Sequence, residues 1–264
     1  KRFKPAPAAA APPPGAVYTV PTDFVELPSR GMFYPAGHPL CGEKTIEIKY
    51  MTAKEEDILS STVLMKNGLV IERFLQSIIV NEDIDPGTLL VGDRNAIMVA
   101  SRITAYGPSY ELGVYCDECG KYSEYKFNLN KSKTTEKCFD EEYLKMIACT
   151  YDPEKSLYNI ELPISKVVVG LRLLTGDNSL TEENNNNLIT SVLSQIIFSV
   201  NGDVNPGSIK EFVNNMPAGD SKYLRDRYPQ IVPNIDLAQE FMCGHCGASY
   251  DKEVPLSAEF FWPR

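Results

Sequence analysis

Two short cysteine pairs carry the most specific chemistry in the sequence: Cys116-Asp117-Glu118-Cys119-Gly120 and Cys243-Gly244-His245-Cys246-Gly247. Two residues between thiols let both sulfurs reach one ion from a single tight turn, and thiolates are soft ligands suited to zinc. Glycine after the second cysteine lets the backbone fold so that its amides point toward the sulfurs. Alternating segments follow each pair, with Tyr122, Tyr125, Phe127 and Leu129 after the first and Tyr250, Val254 and Leu256 after the second. The alternating Tyr110, Leu112 and Val114 lead into the first. Strand–knuckle–strand is half of a zinc ribbon, and two halves supply the four thiolates of a closed tetrahedral site. The expected ligands of one structural Zn2+ are therefore Cys116, Cys119, Cys243 and Cys246. A closed site has no open coordination position, so its metal would hold the fold rather than catalyse. Residues 120–242 are a long interval for a local ribbon, as expected if two repeats donate one knuckle each. His245 is expected to face solvent. The alternatives are a redox CxxC or an exposed disulfide; a thioredoxin-like redox pair sits where a strand enters a helix, whereas strands are expected here on both sides.

Other chemistry has little material. Only two histidines occur, His38 and His245, and neither a P-loop nor a GxGxxG is present. Acidic clusters at Glu55-Glu56-Asp57, Asp140-Glu141-Glu142 and Glu182-Glu183 fit the first turns of helices, where carboxylates favour the dipole. The cysteine total is seven, so internal pairing cannot be complete, and Cys41, Cys138 and Cys149 are left as thiols. That usage suits a reducing compartment.

The elements that must position the knuckles follow from patterning. The 264 residues are 43% hydrophobic and 23% charged, enough for a core. No apolar run approaches the roughly 20 residues of a membrane span, and no cleavable signal pattern is read. The first residue is Lys1 rather than Met, so the native start is expected upstream. Residues 1–15 are Pro/Ala-rich and read as an extended arm. Residues 16–42 stay proline-broken yet carry Phe24, Leu27, Phe33 and Tyr34, and either pack on their own domain or dock on a partner. The whole stretch 1–35 is expected to be dispensable for folding. A strand is expected from Thr45 through Tyr50, then a helix opened by the capping box Thr52-Ala53-Lys54-Glu55. Further helices are expected over 69–80, from an N-cap at Asp93 to Ala105, near 139–147 and over 181–200, with strands over 157–162 and 167–174.

An order recurs. Val80-Asn81-Glu82-Asp83-Ile84-Asp85-Pro86-Gly87 matches Val200-Asn201-Gly202-Asp203-Val204-Asn205-Pro206-Gly207, and each is followed by helix, strand and CxxCG. The expected fold is thus α+β, with internally duplicated helix-plus-β-ribbon units sharing the four-cysteine site. The expected divisions are an arm over 1–42, a first repeat over 43–130, a connecting insertion over 131–165 and a second repeat over 166–264.

Three blocks carry a resemblance. Leu27-Pro28-Ser29-Arg30-Gly31-Met32-Phe33-Tyr34-Pro35, Met51-Thr52-Ala53-Lys54-Glu55-Glu56-Asp57-Ile58-Leu59 and the terminal Phe260-Phe261-Trp262-Pro263 resemble those of baseplate proteins of T-even-type contractile-tailed phages. That family includes a baseplate hub subunit and a hub-assembly catalyst. The resemblance extends over roughly residues 21–130 and into the C-terminal ribbon. It implies a non-enzymatic structural or assembly role in the central hub, with other baseplate proteins as partners. It further implies the host cytoplasm during assembly and then the virion tail. Phe24, Phe33 and Tyr34, together with Phe260, Phe261 and Trp262, are candidate docking anchors; packing of the terminal trio against the adjacent ribbon is the alternative. A nucleic-acid-binding zinc ribbon is the alternative function. Lys121, Lys126, Lys131 and Lys133 sit beside Asp117, Glu118 and Glu124, and the net charge is -9, both unfavourable to phosphate contacts. An enzyme with an unrecognised site is a third reading, for which no constellation of residues is found.

Overall fold

The computed structural model describes residues 19–135, 137–177, 189–256 and 258–262. The Pro/Ala-rich residues 1–15 therefore lie outside the described residues, as do Glu182 and Glu183. Ile46 and Ile48 alternate with polar neighbours, and Thr45–Lys49 (β2) pairs antiparallel with Thr22–Glu26 (β1). Thr52 and Glu55 form the expected capping box, opening Ala53–Ser60 (α1), with the Thr52 amide donating to Glu55 at 2.9 Å. Thr62–Lys66 (α2) and Val70–Ile78 (α3) follow, the latter burying Val70, Phe74, Leu75 and Ile78. Asp85 accepts from the Gly87 amide and caps a short 3-10 turn at Pro86–Thr88. Then come Val91–Tyr106 (α4) and the hairpin of Ser109–Tyr115 (β3) with Tyr122–Asn128 (β4).

The second part opens with Lys133–Thr134 (β5) and Glu141–Met146 (α5), whose N-cap is Asp140. Cys149–Asp152 (β6), Leu157–Glu161 (β7) and Val168–Arg172 (β8) run antiparallel, and Ile189–Ile196 (α6) leads into Ile197–Val200 (β9). The four strands form one sheet in the order β6-β7-β8-β9. Pro206–Asn215 (α7) and Ala218–Ile231 (α8) precede Ile235–Asp236 (β10), which pairs with β5. A second hairpin, Ala238–Met242 (β11) with Ser249–Glu253 (β12), closes the sequence of strands.

Several expectations are corrected. Of the helix expected over 181–200, residues 181–188 lie outside the described residues and the described part ends at Ile196, because the apolar run Ile197-Phe198-Ser199-Val200 is β-branched and aromatic and pairs with β8. The region 131–165, expected as a connection, supplies β6 and β7 to the main sheet and β5 to the β10 pair. Asp93 is not an N-cap; it is the third residue of α4 and fully buried. Residues 22–42, expected within an arm, bury Val25, Leu27, Phe33, Tyr34 and Leu40, so only Phe24 of the three arm aromatics is exposed. Phe33 packs among Phe139, Tyr151 and Tyr158 with ring centroids 5.1–5.9 Å away. Phe260 and Phe261 are also fully buried, against Tyr110 at 5.2 Å and Phe74 at 4.7 Å. They are core residues, not docking anchors, because they close the gap between α3 and the first hairpin.

Two buried carboxylates tie loops to helices. The Ser29 amide and hydroxyl donate to Asp93 at 2.9 and 2.5 Å, and the Tyr34 hydroxyl donates to it at 2.8 Å. Asp220, also the third residue of its helix, accepts the amides of Ile164 and Ser165 at 2.8 and 2.9 Å. Each loop follows a Glu-Leu-Pro run at the end of a strand, Glu26-Leu27-Pro28 after β1 and Glu161-Leu162-Pro163 after β7.

Candidate metal centre

Each knuckle is built by the same backbone bonds. The Cys116 amide donates to the Lys121 carbonyl at 3.0 Å, and the Gly120 amide returns to the Cys116 carbonyl at 2.9 Å. The Cys243 amide donates to the Ala248 carbonyl at 2.8 Å, and the Gly247 amide to the Cys243 carbonyl at 2.9 Å. Both turns need a left-handed residue at the exit, and Gly120 and Gly247 supply φ of +67° and +74°. Antiparallel strands on both sides then fix the direction of the thiols.

The structure brings all four expected ligands together. Their sulfurs lie within 4.8 Å of one another, with Cys116 to Cys246 at 3.6 Å and Cys119 to Cys243 at 3.8 Å. Sulfurs held about 2.3 Å from a central zinc would stand about 3.8 Å apart in a regular tetrahedron. The donor set therefore fits an ion of zinc's size with little movement. Cys116 and Cys243 are buried, Cys119 half-buried and Cys246 exposed. His245 stays out of the cluster; its Nε2 faces the Tyr122 carbonyl at 3.3 Å, on the exposed side.

Backbone donors bias the thiols unequally. The Cys119 amide pulls the Cys116 thiol down to about 6, and the Cys246 and His245 amides lower Cys243. The Ala248 amide favours the Cys246 thiolate, but local desolvation and the sulfurs of Cys243, Cys116 and Cys119 outweigh it and push Cys246 up to about 12. Four sulfurs in so small a space cannot all ionise without a cation, and a divalent metal would supply that charge.

Cross-hairpin contacts hold the two knuckles face to face, and sequence reading missed them. The Asp117 amide donates to the Tyr250 hydroxyl at 2.8 Å, and Lys252 meets both Asp117 carboxylate oxygens at 2.9 Å. Farther out, the Tyr125 hydroxyl donates to the Glu240 carbonyl at 2.7 Å, while Gln239 exchanges two bonds with the Asn128 backbone. Tyr125 and Phe241 pack edge to face at 5.2 Å between the hairpins. No pattern in the sequence announces such pairings, because they join residues 111–135 positions apart.

A family model described as T4 bacteriophage base plate protein matches residues 25–262, which spans both knuckles, both buried aspartates and the terminal aromatics. The chain belongs to this family. No curated protein and no solved structure matches it. The family match begins inside β1, so it includes the Leu27–Pro35 loop that Asp93 grips. Gly31 in that loop has φ of +69°, and a Cβ there would lie 2.4–2.6 Å from the Glu43 and Leu40 backbones. The motif behind the sequence resemblance is thus a packing device: Gly31 makes the turn, Ser29 and Tyr34 bind Asp93, and Phe33 fills the neighbouring core. No described helix is long and apolar enough to cross a membrane.

Proposed function

We propose that this T4-type baseplate protein is a non-enzymatic subunit or assembly factor of the central hub, working through protein–protein contacts. In this reading it meets its partners in the host cytoplasm and ends in the virion tail. The family match over nearly the whole chain carries the proposal. Zinc bound by Cys116, Cys119, Cys243 and Cys246 would lock the two hairpins together, and the near-tetrahedral sulfur spacing supports that role. The same zinc would give rigidity rather than reactivity, since four thiolates fill its coordination shell.

Internal duplication belongs to the same proposal. The interval from Asp93 to Cys116 equals that from Asp220 to Cys243, so α4-β3-β4 corresponds to α8-β11-β12 without a gap. The extra length of the second half falls in α7, where the first half has only the turn at Pro86–Thr88. Both turns are capped alike, by Asp85 on Gly87 and Asn205 on Gly207. An experimental structure in which the two hairpins and their helices fail to superpose by one rotation through the metal would refute duplication.

The functional test is genetic and compositional. A phage lacking this chain should make tails arrested before a complete baseplate, and purified wild-type particles should contain the protein if it is a subunit. Its absence from particles would leave the assembly-factor form standing. Normal baseplates without the protein would sink both forms.

A further inference from the structure

We propose that the outer edge of β1 receives an extended, cationic strand from a partner protein. Two strands, β1 and β7, end in Glu-Leu-Pro. β1 pairs with β2 and β7 pairs with β8, and each loop that follows is gripped by a buried aspartate. Their other edges differ. β7 is covered by β6, with Thr150 opposite Asn159, and the Glu161 amide reaches the Ala148 carbonyl. β1 has no such neighbour among the described residues, because its sheet contains β1 and β2 alone.

The hydrogen-bond phase shows which groups that edge presents. The Tyr50 amide donates to the Pro21 carbonyl and the Leu27 amide to the Lys44 carbonyl. Residues 21, 23, 25 and 27 therefore face β2, while Thr22, Phe24 and Glu26 turn their amides and carbonyls outward. The Phe24 amide is occupied only by the adjacent Asp23 carboxylate at 2.8 Å, a solvent-exposed local cap that an incoming carbonyl can replace. Thr22, Asp23, Phe24 and Glu26 are all exposed, and Phe24 shows 65% of its surface. At the corresponding place on the covered strand stands the smaller, half-buried Asn159.

An open edge with an outward aromatic is a template for strand addition, which proteins normally blunt or cover. Charge selects the occupant. Asp23 and Glu26 are the acidic side chains of β1, so a strand with lysine or arginine near them and an apolar residue opposite Phe24 gains cross-strand pairing on both counts. An acidic strand would meet like charge.

The test uses the full chain, isotopically labelled, with a capped peptide that alternates lysine with valine and threonine at millimolar concentration. Amide exchange at Thr22, Phe24 and Glu26 should slow by roughly tenfold, with no change at the knuckles. A counterpart with glutamate in place of lysine should protect these amides far less. N-methylation of alternate peptide amides should abolish protection, a control that leaves the protein untouched. Phe24→Pro, which removes the central outward donor without breaking the β2 ladder, should do the same. Unchanged exchange with the lysine peptide, equal protection by the acidic one, or persistence after N-methylation would overturn the proposal. So would Phe24-dependent dimers of the peptide-free protein in sedimentation, which would make a second copy the occupant.

Discussion

A carboxylate buried at the third position of a helix gains from the amino-terminal dipole and loses its water, and Asp93 and Asp220 resolve that competition oppositely. Burial dominates at Asp93 and lifts its carboxyl above the usual range, despite the bonds from Ser29 and Tyr34. Burial also acts on Asp220, but the amides of Ile164 and Ser165 and the nearby Lys166 bring its carboxyl below the usual range. A raised native value means that Asp93 favours folding progressively as pH falls through that value toward the unfolded one. A depressed native value means that Asp220 stabilises fully above the ordinary carboxylate range, and that this is lost as pH falls through its native value. Urea unfolding between pH 7 and pH 3 should therefore show a steeper acid loss for Asp93→Asn than for wild type, and a shallower one for Asp220→Asn. At pH 7 Asp220→Asn should cost about 1–3 kcal/mol, since one of the two loop amides is left without an acceptor and the other keeps only a neutral one. Parallel pH slopes in all three proteins would remove the assignment. The thiols make a second residue-scale prediction. The Cys116 thiol is already pulled down to about 6, so zinc binding near pH 7 should release fewer than four protons, measured by calorimetry in buffers of different ionisation enthalpy. Release of a full four would contradict the bias.

At the scale of elements, legibility tracked how local the cause was. The capping box at Thr52, the helix at Val70–Ile78 and the strand at Thr45–Lys49 are set by neighbours within a turn or two, and each could be read from the sequence. So could the four cysteines, because ligand spacing inside a knuckle is a local property. What escaped was decided by distant partners. β9 looked helical until β8 was available to pair with it, and β1 looked like an arm because its ladder lies beyond a long loop. Asp93 looked like a cap because its true partner, Ser29, is far away in sequence. A partial signal for it was present: Glu-Leu-Pro occurs twice, at 26–28 and 161–163, and two of the four Gly-Asp pairs, at 92–93 and 219–220, open the helices that grip the loops. Gly31 offers the test of the loop itself. Gly31→Ala combines a left-handed φ with backbone atoms closer than any Cβ contact, and should cost about 3 kcal/mol or more, lowering Tm by roughly 6–12 °C. A shift within experimental error would mean that the loop can rearrange around the methyl group.

The whole molecule is held by contacts between residues far apart in sequence. Truncation of residues 1–35 removes Val25, Leu27, Phe33 and Tyr34 from the core and strips Asp93 of its donors. That deletion should abolish cooperative folding, seen as loss of the thermal transition and of near-ultraviolet dichroism. A cooperative, wild-type-like transition would show that the core closes without them.

The metal proposed for the knuckles acts over the same distance. It joins Cys116 and Cys119 to Cys243 and Cys246, so it closes a loop containing the main sheet and α5 through α8. Closing a long loop removes much more freedom from the unfolded chain than clipping a single hairpin would. Zinc binding energy is folding energy, on the order of 10 kcal/mol in small zinc modules. Here the hairpins also share Tyr125, Phe241 and the Lys252–Asp117 pair, which would persist in part without metal. Chelation should therefore lower a single thermal transition rather than detach one domain, and amide protection should fall in β3-β4 and β11-β12 together. Cys116→Ser and Cys243→Ser should have similar effects although they lie in different halves, and each should reduce zinc from about one per chain to substoichiometric levels. Protection lost in one hairpin alone would mean two independent sites. Protein purified without zinc yet unchanged in stability would mean that the four thiols are held by packing, and the structural role assigned to the metal would fall.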